Sequence, residues 1–147
     1  MAWREQYDRM KRWQERQWLE PILHGDHATD SFYAFAQACY HLVDWLENDR
    51  SQPVRRGQAE AFVDASSPLA FCRDICNGSK HARLVAKKVR ITSTKTVATV
   101  RIEDEEVVVD GTTLFVEWAG KLIDFESFAG LCVQDWEKFL RSEGLLK

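Results

Sequence analysis

The chain lacks the segments that would divide it into domains or place it in a membrane. Its 147 residues include only three prolines and seven glycines, with no internal repeat and no low-complexity linker. No stretch approaches the roughly 20 apolar residues that span a bilayer, and charged residues stand at the N-terminus where a signal peptide is apolar. We therefore expect a single domain over residues 1–147, located in the cytoplasm and without a membrane partner.

The charged residues show no large excess of either sign. Twenty Lys and Arg residues stand against 23 Asp and Glu residues, which gives a formal net charge of -3. This balance excludes the overall positive charge typical of many nucleic-acid-binding proteins, so any such binding must be local. With 45% hydrophobic and 12% aromatic residues, the chain has the composition to bury a substantial core.

The sequence has no Cys-x-x-Cys pair. Its four cysteines are Cys39, Cys72, Cys76 and Cys132. All four fall at apolar positions of predicted helices, which favours reduced core cysteines over disulfides or a zinc site. His24, Asp26 and His27 offer three potential ligands in a predicted loop, but no fourth ligand follows at a helical or strand spacing. We therefore predict neither a metal nor a cofactor.

Helical periodicity accounts for most of the chain. Apolar side chains recur every three to four residues over 3–23 and 31–48, and again from Asp124 to about Arg141. A lesser helical segment lies within 54–66. These patterns predict helices before and after the central part of the chain.

Capping and turn residues mark where the helices begin. The Gly and Asp content of residues 24–30 predicts a loop, with Asp30 or Ser31 as the cap of the following helix. Ser66 or Ser67 is predicted to cap another helix that begins near residue 68, because a proline stands in its first turn.

Beyond Val85 the pattern changes from helical to alternating. Stretches rich in Val, Thr and Ile predict short strands at 87–92, 97–102, 106–109 and 113–118. The Asp110–Gly111 pair predicts a hairpin turn between the last two strands. The expected fold is therefore mainly α (α+β): a helical bundle with a small antiparallel β-meander inserted over residues 86–124, before the C-terminal helix.

The helix that begins near residue 68 carries the most suggestive polar residues. Arg73, Asn77 and His81 recur at a spacing of four, with Lys80 beside them, so the four side chains share one helical face. This holds if the helix continues through Gly78, as we expect because a neighbouring helix can approach closely at a glycine. The alternative is that Gly78 ends the helix and leaves the residues after it in a loop.

The chemistry of this face suits an anion. Arg73 and Lys80 can hold a phosphate, Asn77 can orient a neighbouring group, and His81 can act as a general acid or base. Such a set permits metal-independent cleavage of RNA, in which the substrate's own 2'-hydroxyl is the nucleophile. We therefore take Arg73, Asn77, Lys80 and His81 as candidate catalytic residues.

Two further groups are candidate binding residues. His41 and Asp44 lie three positions apart on the second predicted helix, where they form either a hydrogen-bonded pair that faces the first group or part of an exposed face. Lys87, Lys88 and Arg90 make a locally basic strand directly after His81. This strand either contributes to the site or is a solvated edge.

Two motifs resemble a known superfamily. The segments FYAFAQACYHLVDWL (32–46) and CRDICNGSKH (72–81) look like motifs of uncharacterised bacterial and phage proteins that are similar to the HEPN superfamily. The resemblance implies a helical bundle, frequent homodimers, and metal-independent ribonucleases of toxin–antitoxin and phage-defence systems. It makes His81 the family's histidine and Asn77 a residue that assists it. The family's motif separates arginine and histidine by four to six residues, whereas seven separate Arg73 from His81.

Two functions follow from these patterns. The first is a HEPN-like domain that binds RNA or cleaves it as a metal-independent endoribonuclease. The alternative is a non-catalytic module that binds a protein or a nucleotide, in which Asn77 and His81 only satisfy one another across a helix contact.

Overall fold

A computed structural model describes residues 2–19, 25–80, 94–103, 106–118 and 120–147. Its elements are α1 (Ala2–Leu19), α2 (Gly25–Asn48), α3 (Gln58–Ala65), α4 (Ser67–Lys80), β1 (Thr94–Glu103), β2 (Glu106–Trp118), β3 (Lys121–Asp124) and α5 (Phe125–Ser142). The prediction of a mainly helical fold with a small antiparallel sheet before the C-terminal helix is confirmed.

Helix α2 lies at the centre of the core, as its wide apolar stripe predicts. Phe32, Phe35, Cys39, Leu42 and Leu46 are its fully buried side chains of medium or large size. Trp136 of α5 is also fully buried, and its indole Nε1 donates a hydrogen bond of 3.1 Å to the backbone carbonyl of Cys39. This bond satisfies the polar atom of a large aromatic ring inside an apolar environment.

Phe128 of α5 lies where the sheet meets the helices. Its ring centroid is 6.0 Å from that of Phe32 in α2, 5.4 Å from that of Phe71 in α4 and 5.6 Å from that of Trp118 in β2. A single aromatic side chain therefore contacts three other elements of the fold.

The predicted starts of α4 and α5 are confirmed, and each has a side chain that caps the first turn. The Ser66 hydroxyl accepts a hydrogen bond from the backbone N–H of Leu69 at 3.3 Å, and α4 begins at the next residue, Ser67. The Asp124 carboxylate accepts from the backbone N–H of Ser127 at 2.9 Å and caps α5. Both side chains satisfy N–H groups that have no partner within the helix.

The predicted start of α2 is wrong. The helix begins at Gly25 rather than near residue 31, so the predicted loop over 25–30 is helical. Asp26 thereby lies in the first turn of the helix. His24 lies outside the described residues, and α1 is helical as far as Leu19.

The predicted hairpin turn at Asp110–Gly111 is also wrong. Strand β2 runs through both residues, and Thr99 pairs with Gly111 while Val100 pairs with Val109, so Asp110 is an extra residue in the ladder. An extra residue on one strand of an antiparallel pair is a β-bulge, and glycine is common beside such bulges.

The sheet has the strand order β1–β2–β3 in the part of the chain that the structure describes. Strand β3 pairs antiparallel with the end of β2, from Phe115 opposite Asp124 to Trp118 opposite Lys121. The chain reverses beside Gly120, whose φ of 75° lies in the left-handed region that favours glycine. The predicted strand over 87–92 lies outside the described residues.

A hydrogen bond joins the first helix to the last. The Tyr7 hydroxyl of α1 donates to Glu137 Oε1 of α5 at 2.9 Å. Burial, and then the hydrogen bond to this carboxylate, raise the pKa of Tyr7 to about 12 from the usual value of 10.0.

This bond predicts a loss of stability at alkaline pH. Because the folded protein holds the Tyr7 proton more tightly than the unfolded chain, the stabilisation is fully present below about pH 10 and is lost as the pH rises towards about 12. In urea unfolding at pH 8, Tyr7→Phe is expected to lower the free energy of unfolding by about 1 kcal/mol. Above about pH 10, the urea midpoint of this variant should fall less steeply with pH than that of wild type. Glu137→Gln keeps the acceptor oxygen but removes its charge. The fall of its urea midpoint with rising pH should therefore lie between those of wild type and Tyr7→Phe. Equal slopes for wild type and Tyr7→Phe would contradict this role.

Candidate functional site

Two of the predicted site residues, His41 and Asn77, lie on α2 and α4, which pack against each other. His41 of α2 places its Nε2 3.5 Å from the Sγ of Cys76 in α4. Asn77 follows Cys76 on α4, and the side chains of both His41 and Asn77 are exposed while Cys76 is buried. We call the exposed surface of His41, Asp44 and Asn77 the α2–α4 edge.

Asp44 shares the edge without pairing with His41. Within the described residues no hydrogen bond joins the two side chains, and the backbone carbonyl of Asp44 accepts from Asn48 Nδ2 at 2.8 Å. The predicted hydrogen-bonded pair is therefore not formed, although the alternative prediction of an exposed face is met. His41 instead contacts α4 through the sulfur of Cys76.

Arg73 does not belong to this edge. Its side chain is only 11% exposed, and its Nη1 contacts the Asp64 carboxylate of α3 while its Nε lies 3.3 Å from Asp74 Oδ1. The Oε1 of Glu60, also on α3, lies 3.8 Å from Nη1. The guanidinium therefore links α3 to α4, and its donors face protein carboxylates rather than an anion from solution.

The periodicity of α4 explains why this arrangement was not expected. Residues 73 and 77 share a helical face, but α3 packs beside the first half of α4 and leaves Asn77 uncovered. The expectation that Arg73 and Lys80 together hold a phosphate is corrected on this point, because Arg73 is already engaged by the carboxylates of Asp64 and Asp74.

The electrostatics of this ion-pair network keep Arg73 charged. Burial lowers the pKa of Arg73, but the hydrogen bonds and charges of Asp64 and Asp74 outweigh it, so the pKa is raised overall. Burial raises the pKa of Glu60, and the nearby Arg73 offsets part of that rise. Burial and the charge of Glu60 also raise the pKa of Tyr40 to about 12. Tyr40 thus stays neutral beside these charged side chains.

Helix α4 continues through Gly78 as far as Lys80, the last residue described in this part of the chain, which confirms the prediction that the helix runs through Gly78. Lys80 lies three residues after Asn77, so its backbone follows the same face of the helix. The side chain of Lys80 lies outside the described part, as do His81 and the basic residues Lys87, Lys88 and Arg90. The α2–α4 edge therefore stands directly before the segment that holds the other predicted site residues.

The partners of Arg73, which the sequence alone did not indicate, are acidic residues. Asp74 is only 7% exposed, and Glu60 and Asp64 stand four positions apart on α3. The adjacent Arg73–Asp74 pair and the i, i+4 acidic pair were visible signals, but only the packing of α3 against α4 shows that they meet.

All four cysteines are free and buried, which confirms the prediction of reduced core cysteines as far as disulfides are concerned. Burial raises the pKa of the Cys72 and Cys132 thiols well above the usual value. These two thiols are therefore protonated at neutral pH.

None of the described helices is long and apolar enough to cross a membrane. Comparisons of the chain with protein-family models, with curated proteins and with solved structures found no match.

Proposed function

We propose that this chain is a HEPN-like domain that binds RNA at the α2–α4 edge and along the basic segment that follows it. The observation that carries the proposal is the place of that segment in the chain: it begins at Lys80, three residues after the exposed Asn77, and the residue before Asn77, Cys76, contacts the exposed His41. The resemblance of the two motifs supports the same function, because the His41–Cys76 contact joins one motif to the other.

The distribution of charge supports a local nucleic-acid surface. Residues 80–101 contain seven of the 20 Lys and Arg residues and none of the 23 Asp and Glu residues. The rest of the chain therefore contains 13 basic and 23 acidic residues. A short segment of one sign within an acidic chain is the local positive charge that binding to a phosphate backbone needs.

The edge and the segment have complementary chemistry. Lysine and arginine neutralise phosphates without reading the sequence, whereas an exposed amide and an exposed imidazole can hydrogen-bond to bases or to the 2'-hydroxyl of RNA. Asn77 and His41 supply those two groups.

We propose that the chain binds RNA, and not that Arg73 and His81 cleave it as a pair. Arg73 is held by Asp64 and Asp74, so it is not free to stabilise a transition-state phosphate. His81 remains the residue with the chemistry of a general acid or base. His81→Ala is therefore the variant in which any cleavage of RNA should be measured.

Fluorescence anisotropy with a labelled single-stranded RNA and a labelled RNA hairpin tests the proposal. Wild-type protein is expected to bind, and binding should weaken steeply between about 50 and 200 mM salt because counterions are released. Asn77→Ala is expected to weaken binding about 10-fold, a loss of about 1.4 kcal/mol. Lys87→Ala with Lys88→Ala should reduce the salt dependence. Gln134→Ala, an exposed position on α5, is the matched control and should bind like wild type.

Absence of binding to both RNAs at 50 mM salt, or an equal loss in Asn77→Ala and Gln134→Ala, would refute the proposal. A rise in melting temperature with free nucleotides, without RNA binding, would instead support a nucleotide-binding module. If the protein binds neither RNA nor free nucleotides, a protein-interaction module becomes the better description.

A further inference from the structure

Three cysteines from three helices meet in the core. Cys39 of α2, Cys72 of α4 and Cys132 of α5 are all completely buried, and their sulfur atoms lie within 4.8 Å of one another. The sulfur atoms of Cys72 and Cys132 are 3.6 Å apart. The three residues are far apart in sequence, so only the packing of the helices brings their thiols together.

The sulfur separations fit a single metal ion. Metal–thiolate bonds are about 2.3 Å long, as in zinc sites, so three sulfurs in a plane around one ion are about 4.0 Å apart. The observed separations, 3.6 Å for one pair and at most 4.8 Å for the others, bracket that value. Side-chain shifts of a few tenths of an ångström would place all three sulfurs at bonding distance from an ion between them.

The coordination number favours copper over zinc. Structural zinc sites almost always have four ligands, and within the described residues no fourth His, Cys, Asp or Glu joins this group. Soft thiolates also select monovalent copper, which is stable with three sulfur ligands. Cys76, the remaining cysteine, contacts His41 at the α2–α4 edge.

We propose that Cys39, Cys72 and Cys132 form a three-sulfur site for one Cu(I) ion that joins α2, α4 and α5. Binding replaces thiol protons by the ion, and these protons are released to solvent without any change of oxidation state. The site is separate from the proposed RNA surface, so either can fail without the other.

Burial of the three sulfurs governs how the ion enters. No sulfur is reached from solvent in the folded protein, because all three cysteines are 0% exposed. Uptake by folded protein is therefore expected to be slow and limited by local opening of the helices, whereas refolding in the presence of Cu(I) should load the site at once.

The test uses the full chain, reduced and refolded without oxygen in the presence of Cu(I). A competing chromophoric chelator measures the stoichiometry and affinity, and X-ray absorption counts the sulfur ligands. We expect one Cu(I) per chain, three sulfur neighbours, and a melting temperature raised by at least about 5 °C. Zn(II) tested in parallel should bind more weakly.

The variants separate the site from ordinary cysteine chemistry. Cys132→Ser is expected to weaken Cu(I) binding at least about 100-fold, because it removes a ligand, while Cys76→Ser should bind like wild type. If Cys132→Ser does not fold, the sulfur count of the wild-type complex decides. Fewer than three sulfur neighbours, no uptake against the chelator, tighter binding of Zn(II), or an equal loss in Cys76→Ser would each overturn the proposal.

Discussion

Replacing Arg73 with alanine is expected to lower the free energy of unfolding by about 3 kcal/mol or more. The change leaves the carboxylate of Asp74, which is only 7% exposed, without its guanidinium partner, and it separates α4 from Asp64 of α3. An unpaired buried charge costs far more than the pair itself contributes. Urea unfolding at pH 7, followed by circular dichroism, measures the loss.

A surface ion pair provides the matched control. Arg141 and Glu137 of α5 lie 3.3 Å apart, but the arginine side chain is 55% exposed. Arg141→Ala should therefore cost less than about 1 kcal/mol. Similar losses in the free energy of unfolding for Arg73→Ala and Arg141→Ala would contradict the structural role of Arg73. Arg73 would then again be a candidate for binding an anion.

Phe128→Ala is expected to cost about 3 to 5 kcal/mol, because it empties a fully buried site between α2, α4 and β2. The loss combines removal of apolar area from the core with a cavity that its aromatic neighbours cannot fill. The same unfolding experiment measures it.

Leu131→Ala on the same helix is the comparison for this prediction. Leu131 is 37% exposed, so its truncation should cost well under half as much as that of Phe128. If the two variants unfold at the same urea concentration, the sheet does not pack against the helices through Phe128.

The helices could be predicted because their signals are local. The apolar stripe of α2 is read at a fixed spacing, and the caps Ser66 and Asp124 hydrogen-bond to N–H groups three residues away. The continuation of α4 through Gly78 was predicted on a different ground, because a neighbouring helix can approach closely at a glycine and offset its cost of about 1 kcal/mol in a helix.

The errors in the sheet and at the start of α2 come from residues that suit two structures. Asp110–Gly111 suits a hairpin turn and a β-bulge alike, and strand pairing between Thr99 and Gly111 selects the bulge. The Gly25–Asp26 sequence suits a loop or the first turn of a helix, and here it begins α2.

The candidate site was only partly predictable because its surroundings are set by tertiary packing. The spacing of Arg73 and Asn77 places both on one face of α4, but it carries no information about which part of that face α3 covers. The approach of His41 to Cys76 and the meeting of three thiols in the core depend in the same way on how separate helices pack.

The most direct test of RNA binding at the α2–α4 edge is a titration of ¹⁵N-labelled protein with single-stranded RNA, followed by backbone amide chemical shifts. If RNA binds at this edge, the amides of His41, Asp44 and Asn77 shift or broaden at the lowest RNA concentrations, while those of α1, whose exposed face carries mixed charges, do not. Shifts confined to α1, or none up to a several-fold excess of RNA, would contradict binding at this edge.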